Sequence, residues 1–339
     1  MKNTGNFILI AVSIQLLFGC GQSESNNEQT NKKQRHQVIF DTDANNELDD
    51  QHALAYLLFN GNDFDVKGVT VNTTFNGGNI DKHYEEAERV ITLCGLKDKV
   101  PLFRGADRSF EEIKPSLGNN DFDGYQAVNF IIDQAKKVKG DKLIVIAVGK
   151  LTNVALALEK EASISDKIRL VWLGANYPDP GEYNLVNDIP AMNYLLESEI
   201  DFEMVTVRYG KPSGTDAVRM LEGEAQKTMP GLGPAIEESV IGRHGDKFNN
   251  FGDYSVSLFE HCEFHGDPPG RSLFDMAAVA IVKNSTWADA NVIPCPTMVD
   301  EEWVEQPDNL RMITVWENFN KEEIMNDFYA SLKNYVLVK

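Results

Sequence analysis

Six apolar runs set the strongest limit on how this chain can fold: QVIFDTD (37–43), DVKGVTVN (65–72), KVPLFRGA (99–106), KLIVIAVG (142–149), KIRLVWLGA (167–175) and DFEMVTV (201–207). They hold too few polar positions to keep one face in water, so they read as strands buried on both sides. Between them, the stretches near 49–59, 80–95, 124–139, 151–160 and 188–198 read as helices. Strand and helix in alternation predict an α/β fold with an open, largely parallel, doubly wound sheet flanked by helices. No internal repeat or proline-rich linker interrupts the chain after residue 36, so residues 37–339 are expected to form one domain.

Ligands of such sheets bind beyond the carboxyl ends of the strands, which directs attention to the residues after each run. The first run ends in DTDANNELDD (41–50), the second in NTTFNGG (72–78), the fourth in VGKLTN (148–153) and the fifth in GANYPDPGEYN (174–184). Four strand ends therefore deliver carboxylates, asparagines and free carbonyls to one rim. Such oxygen-rich surroundings suit a hydroxyl-bearing ligand and a hard cation, since Ca²⁺ takes about six to eight oxygen ligands. Favourable negative charge at a helix start would account for Asp49 and Asp50. It does not account for Asp41 and Asp43 at the strand end, and Asp41 is expected to sit behind the others. The formal charge of −20 and the lack of a basic stripe argue against a nucleic-acid partner.

The first twenty residues stand apart. Lys2 gives a positive start, Phe7 to Phe18 is mostly apolar, and LFGC (17–20) looks like a bacterial lipobox in which Cys20 becomes the lipidated first residue. Residues 1–20 are thus expected to be a lipoprotein signal peptide and 21–36 a polar tether, which implies an exported protein anchored to a membrane through Cys20 on its periplasmic or cell-surface side. Cys94, Cys262 and Cys295 cannot all pair and show no metal-binding spacing, so they read as buried thiols rather than a disulfide framework.

Four segments carry a more specific signal. DTDANNELDD, AVGKLTNVALAL (147–158), GEYNLVNDIPAM (181–192) and LFDMAAVAIV (273–282) resemble, in this order, the signature segments of the inosine–uridine-preferring nucleoside hydrolases, over about Val38 to Val282. The resemblance implies a nucleoside hydrolase-like catalytic domain at 37–339. It also implies Ca²⁺-dependent hydrolysis of the N-glycosidic bond of a ribonucleoside or related riboside. In that reading Asp43 binds Ca²⁺ and acts as general base, while Asp50, Asp275 and the Val148 carbonyl complete the protein's metal ligands. Asp49, Asn176, Glu182 and Asn184 would contact ribose, Asn76 would serve as the asparagine after the second strand, and the chain would form dimers or tetramers.

Three features depart from the family pattern. ANNEL adds two residues between Asp43 and Asp49, Lys150 replaces a usual proline or glycine, and Phe274 stands where many members place a histidine beside the leaving base. His244 is the expected substitute acid, with stacking on Phe274, Tyr177 or Trp172 as the other route, although Trp172 inside a strand reads as core. Two other functions compete. A haloacid dehalogenase-type phosphohydrolase also opens on a strand and D-x-D, but Asn45 stands where that family wants Thr or Val. A surface lipoprotein that binds a nucleoside or sugar without cleaving it would explain the missing histidine.

Overall fold

Alternation along each strand divides the apolar side chains between two cores. In β1 (His36–Thr42) Val38 and Phe40 face one helical layer and Ile39 the other, and in β4 (Leu143–Ala147) Ile144 and Ile146 part from Leu143, Val145 and Ala147 in the same way. All of these side chains are buried, as the absence of a polar face requires. The structure, a computed structural model, describes Met1, Lys2 and residues 34–339. Cys20 and residues 21–33 of the expected tether lie outside the described residues.

Gln34–Lys339 forms one compact unit around an eight-stranded sheet. With β2 (Phe64–Val71), β3 (Leu102–Arg104), β5 (Ile168–Ala175) and β6 (Asp201–Thr206), the order runs Asp289–Pro294, Met312–Glu317, β6, β5, β4, β1, β2, β3. Every neighbouring pair is parallel except the Asp289–Pro294 edge strand with Met312–Glu317. Strand order reverses between β1 and β4, and a ligand crevice belongs at that reversal. Asp41 lies at this point, opposite Thr70 of β2 and Ala147 of β4.

The six expected strands and five expected helices all form, but KVPLFRGA is not buried on both faces. Only Leu102–Arg104 pairs, half-buried at the sheet edge, because Pro101 has no N–H for a ladder and offers its carbonyl to Val69 instead, at 2.8 Å. The two strands of this sheet beyond residue 288 are not among the expected six; four of the six residues in Asp289–Pro294 are exposed, so this edge lacks a continuous apolar run.

Helix α1 (Asp49–Leu58) is buried at all ten positions, because it packs against the helices Ile80–Leu93, Phe274–Lys283 and Lys321–Lys333 as well as the sheet. Cys94 and Cys295 are buried and Cys262 half-buried, all three as free thiols. Among the described residues no helix is long and apolar enough to cross a membrane.

Candidate active site

Two helix starts and one strand end aim carboxylates at one point. Asp43 follows β1, Asp49 and Asp50 open α1, and Asp275 sits in the first turn of Phe274–Lys283, which packs against α1. All four are almost fully buried, between 1% and 6% exposed. One carboxylate oxygen from each of Asp49, Asp50 and Asp275 lies within 4.8 Å of the others, and Asp43 joins the cluster by a carboxyl–carboxyl contact with Asp50. Asp50 also accepts from the Thr42 hydroxyl at 2.5 Å, and Asp43 from the Thr74 hydroxyl. The Val148 carbonyl at the end of β4 and the side chains of Glu182 and Asn184 line the same cavity of about 560 Å³.

None of the ion pairs among the described residues involves these four aspartates. Burial, and then mutual repulsion, raises the carboxyls of Asp50 and Asp275 well above their ordinary range. Burial also raises Asp43 and pushes Asp49 and Glu182 up to about 7. A set of buried carboxyls with no ion-paired cation among the described residues fits a hard divalent ion, which can bring these groups back to their ionised forms. Asp49, expected on ribose, lies in the same carboxylate cluster as Asp50 and Asp275.

Behind the cluster lies a layer of hydrogen bonds. Asp41 accepts from Thr70 (2.5 Å), Asn72 (3.0 Å) and Asn153 (2.7 Å), and its burial raises it to about 6. Asn184 donates to the carbonyls of Val148 (2.9 Å) and Leu173 (3.1 Å), tying the ends of β4 and β5 together and leaving the second lone pair of Val148 for a ligand. Glu182 caps the short helix Tyr183–Asn187 by accepting from Leu185 N–H at 2.9 Å. Only glycine fits at 149, where a Cβ would come within 2.8 Å of Asn72 Oδ1 and 3.1 Å of Asp43 Oδ1. Trp172 is wholly buried and donates to the Gly149 carbonyl at 3.1 Å, so it is core, as its strand position suggested.

Three candidates lie elsewhere. Asn76 is exposed and meets the site only through its backbone N–H, which donates to the Tyr183 hydroxyl at 2.7 Å; Asn72, the first residue after β2, is the asparagine beside Asp43. The Asn176 side chain bridges two loops, donating to Pro180 O at 3.1 Å and accepting from the N–H of Tyr209, a cavity-wall residue, at 3.1 Å. His244 is exposed and stacks on His261 with ring centroids 4.0 Å apart, in a separate depression that shares Asn46, Glu47 and Arg271 with the main cavity. Lys150 also faces away from the cavity, donating to the carbonyls of Asp107 (3.2 Å) and Arg108 (2.8 Å). Tyr177 packs on Trp303 instead of lining the cavity.

Sequence reasoning missed the opposite wall. Tyr209 and Phe274 meet there edge to face at 5.9 Å, near Asn46, Glu47, Arg219 and Arg271. Phe274 is the one of the three stacking candidates that lines the cavity, whereas Tyr209 and the arginines carry no motif.

A sequence profile of the inosine-uridine preferring nucleoside hydrolases matches residues 38–325. The chain belongs to that family. It is 27% identical over 195 residues to Probable uridine nucleosidase 2 of Oryza sativa subsp. japonica, covering 50% of this chain and 55% of that protein. It is 25% identical over 191 residues to the inosine-uridine preferring nucleoside hydrolase of Crithidia fasciculata, covering 50% and 59%. The matched part thus spans little more than half the length of these curated relatives. Solved structures show the same fold. The Bacillus anthracis inosine-uridine preferring nucleoside hydrolase superposes with a TM-score of 0.63 at 16% identity, covering 88% of this chain and 99% of that one. The purine-preferring ribonucleoside hydrolase of Gardnerella vaginalis gives 0.61 at 20% identity, covering 88% and 98%.

Proposed function

We propose that this nucleoside hydrolase family member cleaves the N-glycosidic bond of a ribonucleoside or related riboside with Ca²⁺, releasing free base and ribose. The observation that carries the reading is the convergence of Asp43, Asp49, Asp50 and Asp275, buried and with no ion-paired cation among the described residues, with Val148, Glu182 and Asn184 at the sheet's reversal point. Asp43, Asp50, Asp275 and the Val148 carbonyl would hold the ion, with Asp49 alongside them. Once bound, the ion offsets carboxylate repulsion, acidifies a water and accepts vicinal hydroxyls as ligands.

The protein's own groups then divide the chemistry. Asp43 removes the proton of the attacking water, and the Thr74 hydroxyl fixes its orientation. Glu182 and Asn184 hold the ribose hydroxyls over the floor, with Asp49 beside them. As the bond to the base breaks, its electron pair leaves with the base, and the anionic floor stabilises the oxocarbenium-like sugar. Attack by water rather than by a carboxylate gives inversion at the anomeric carbon.

A panel of purine and pyrimidine nucleosides, assayed in Ca²⁺ and in chelator, tests this function. Base release that chelator abolishes is expected. Tight Ca²⁺-dependent binding without release would point to a binding lipoprotein, and phosphate released from a phosphomonoester to a phosphohydrolase. The LFGC motif further supports export and anchoring through Cys20, so Cys20→Ala should move the protein out of the membrane fraction. Retention of that variant in membranes would refute the anchor. Association into dimers or tetramers rests on the family resemblance, and sedimentation showing a monomer would refute it.

A further inference from the structure

Asp43 accounts for the proton of the water, but nothing in the mechanism above yet meets the electron pair that arrives on the base. Phe274, beside Asp275, has no proton to give. Among the polar groups of the far wall, Arg219 is already engaged, donating to the carbonyls of His265 and Gly270, the latter at 2.8 Å. His265 is exposed at the rim. Arg271 differs from both. Its side chain is only 12% exposed and its Nε is buried without a hydrogen-bond partner. The Arg219 Nε is unpaired as well, but two backbone carbonyls hold that guanidinium, whereas Glu47 is the one partner of Arg271 among the described residues. A buried guanidinium donor left unpaired in a ligand cavity is costly unless a ligand completes it.

The position of the pair adds to the argument. Glu47 belongs to the lengthened loop between Asp43 and Asp49, whereas Arg271 lies three residues ahead of Phe274 on the strand Gly270–Ser272, and both line the cavity. The longer first loop and the lost histidine, unrelated in sequence, therefore meet in one ion pair. Arg243 steadies the same loop by donating to the Asn45 carbonyl at 3.0 Å.

We propose that Arg271, held in place by Glu47, is the leaving-group residue of this enzyme: its guanidinium donates to the departing base and stabilises the negative charge that forms there. The inference rests on the nucleoside-hydrolase reading above. Water forms the new bond to the anomeric carbon and gives its proton to Asp43, while the C–N bond breaks and its electron pair goes to the base nitrogen. Arginine stays protonated, so it stabilises the base anion without transferring a proton; the anion takes its proton from water afterwards.

A comparison of leaving groups tests this. 4-Nitrophenyl β-D-riboside releases a stable anion and needs little help, whereas a nucleoside needs it. Arg271→Met should lower kcat on the best nucleoside by ~10²-fold or more, the usual loss for one preorganised donor to developing charge. On the nitrophenyl riboside its effect should stay within a few-fold. Arg271→Lys keeps a cation beside Glu47 and guards against misfolding of the first variant; it should lose at least ~10-fold on the nucleoside and almost nothing on the nitrophenyl riboside. Equal losses on both substrates, or no loss on either, overturn the proposal while leaving the nucleoside reading intact. A wild type that cleaves the nitrophenyl riboside and no nucleoside overturns both.

Discussion

The floor and the far wall of the cavity are built by different means. The floor comes from the ends of β1 and β4 and the first turns of two packed helices, so its carboxylates are placed by the same topology that buries the core. The wall comes from residues 44–48, 207–219 and 265–274, which are drawn together by contacts between distant residues such as Arg271 with Glu47 and Arg243 with Asn45. Chemistry common to a fold can reside in the first kind of structure, because changing it disturbs the sheet. The second kind can vary with little cost to the core, and here it departs from the family pattern.

That contrast predicts a descending series of effects. The largest belongs to the floor: Asp43→Asn removes the proposed base and one anionic charge, and turnover should fall by ~10²-fold or more. A variant retaining more than a tenth of wild-type kcat would assign the base elsewhere.

A middle effect is pH dependence without metal. Asp49 and Glu182 sit near 7 in the folded protein, far above an unfolded carboxylate near 4, so the folded state binds the extra protons. This contribution to stability is fully present below about pH 4 and is lost as pH rises through about 7. Buried His52, lowered to about 4, works in the opposite direction: its contribution is present above about 6.5 and is lost as pH falls toward 4. Between about pH 7 and 8, where His52 is mostly neutral in the unfolded chain as well, the melting temperature of chelated protein should fall. Saturating Ca²⁺ should flatten that slope. A chelated protein whose melting temperature rises across this interval would contradict the picture of an uncompensated floor.

The smallest effects belong to residues that the structure removes from the cavity. His244→Ala should change kcat by less than ~3-fold and the melting temperature little, since surface changes away from special features usually alter stability by no more than ~0.5 kcal/mol. A tenfold loss in His244→Ala would mean that its segment closes over the base during turnover.

The unequal legibility of the sequence follows the same division. Asp43 and Asp50 could be read because they closely follow the first strand, whereas Asp275, at a distant helix start, was reached only through the family resemblance of LFDMAAVAIV. Asn76 was misplaced because NTTFNGG offers two asparagines, and only the β1–β2 register shows that Asn72 is the one beside Asp43. Asn176 has the spacing of a ribose contact, and its amide is taken up by Pro180 O and Tyr209 N–H, partners that spacing does not reveal. Arg271 left no trace in the sequence, since its partner Glu47 is more than two hundred residues away and no local pattern links them. The strand Asp289–Pro294 escaped for a different reason: an exposed edge needs no apolar run.

The most direct test of the floor is a Ca²⁺ titration of chelated protein in the presence of the best nucleoside, with heat of binding and base release followed together. The account predicts one ion per chain, base release rising in proportion to occupancy, and loss of both signals in Asp275→Ala. Base release that is undiminished in chelator, or full Ca²⁺ occupancy without release of any base, would contradict it.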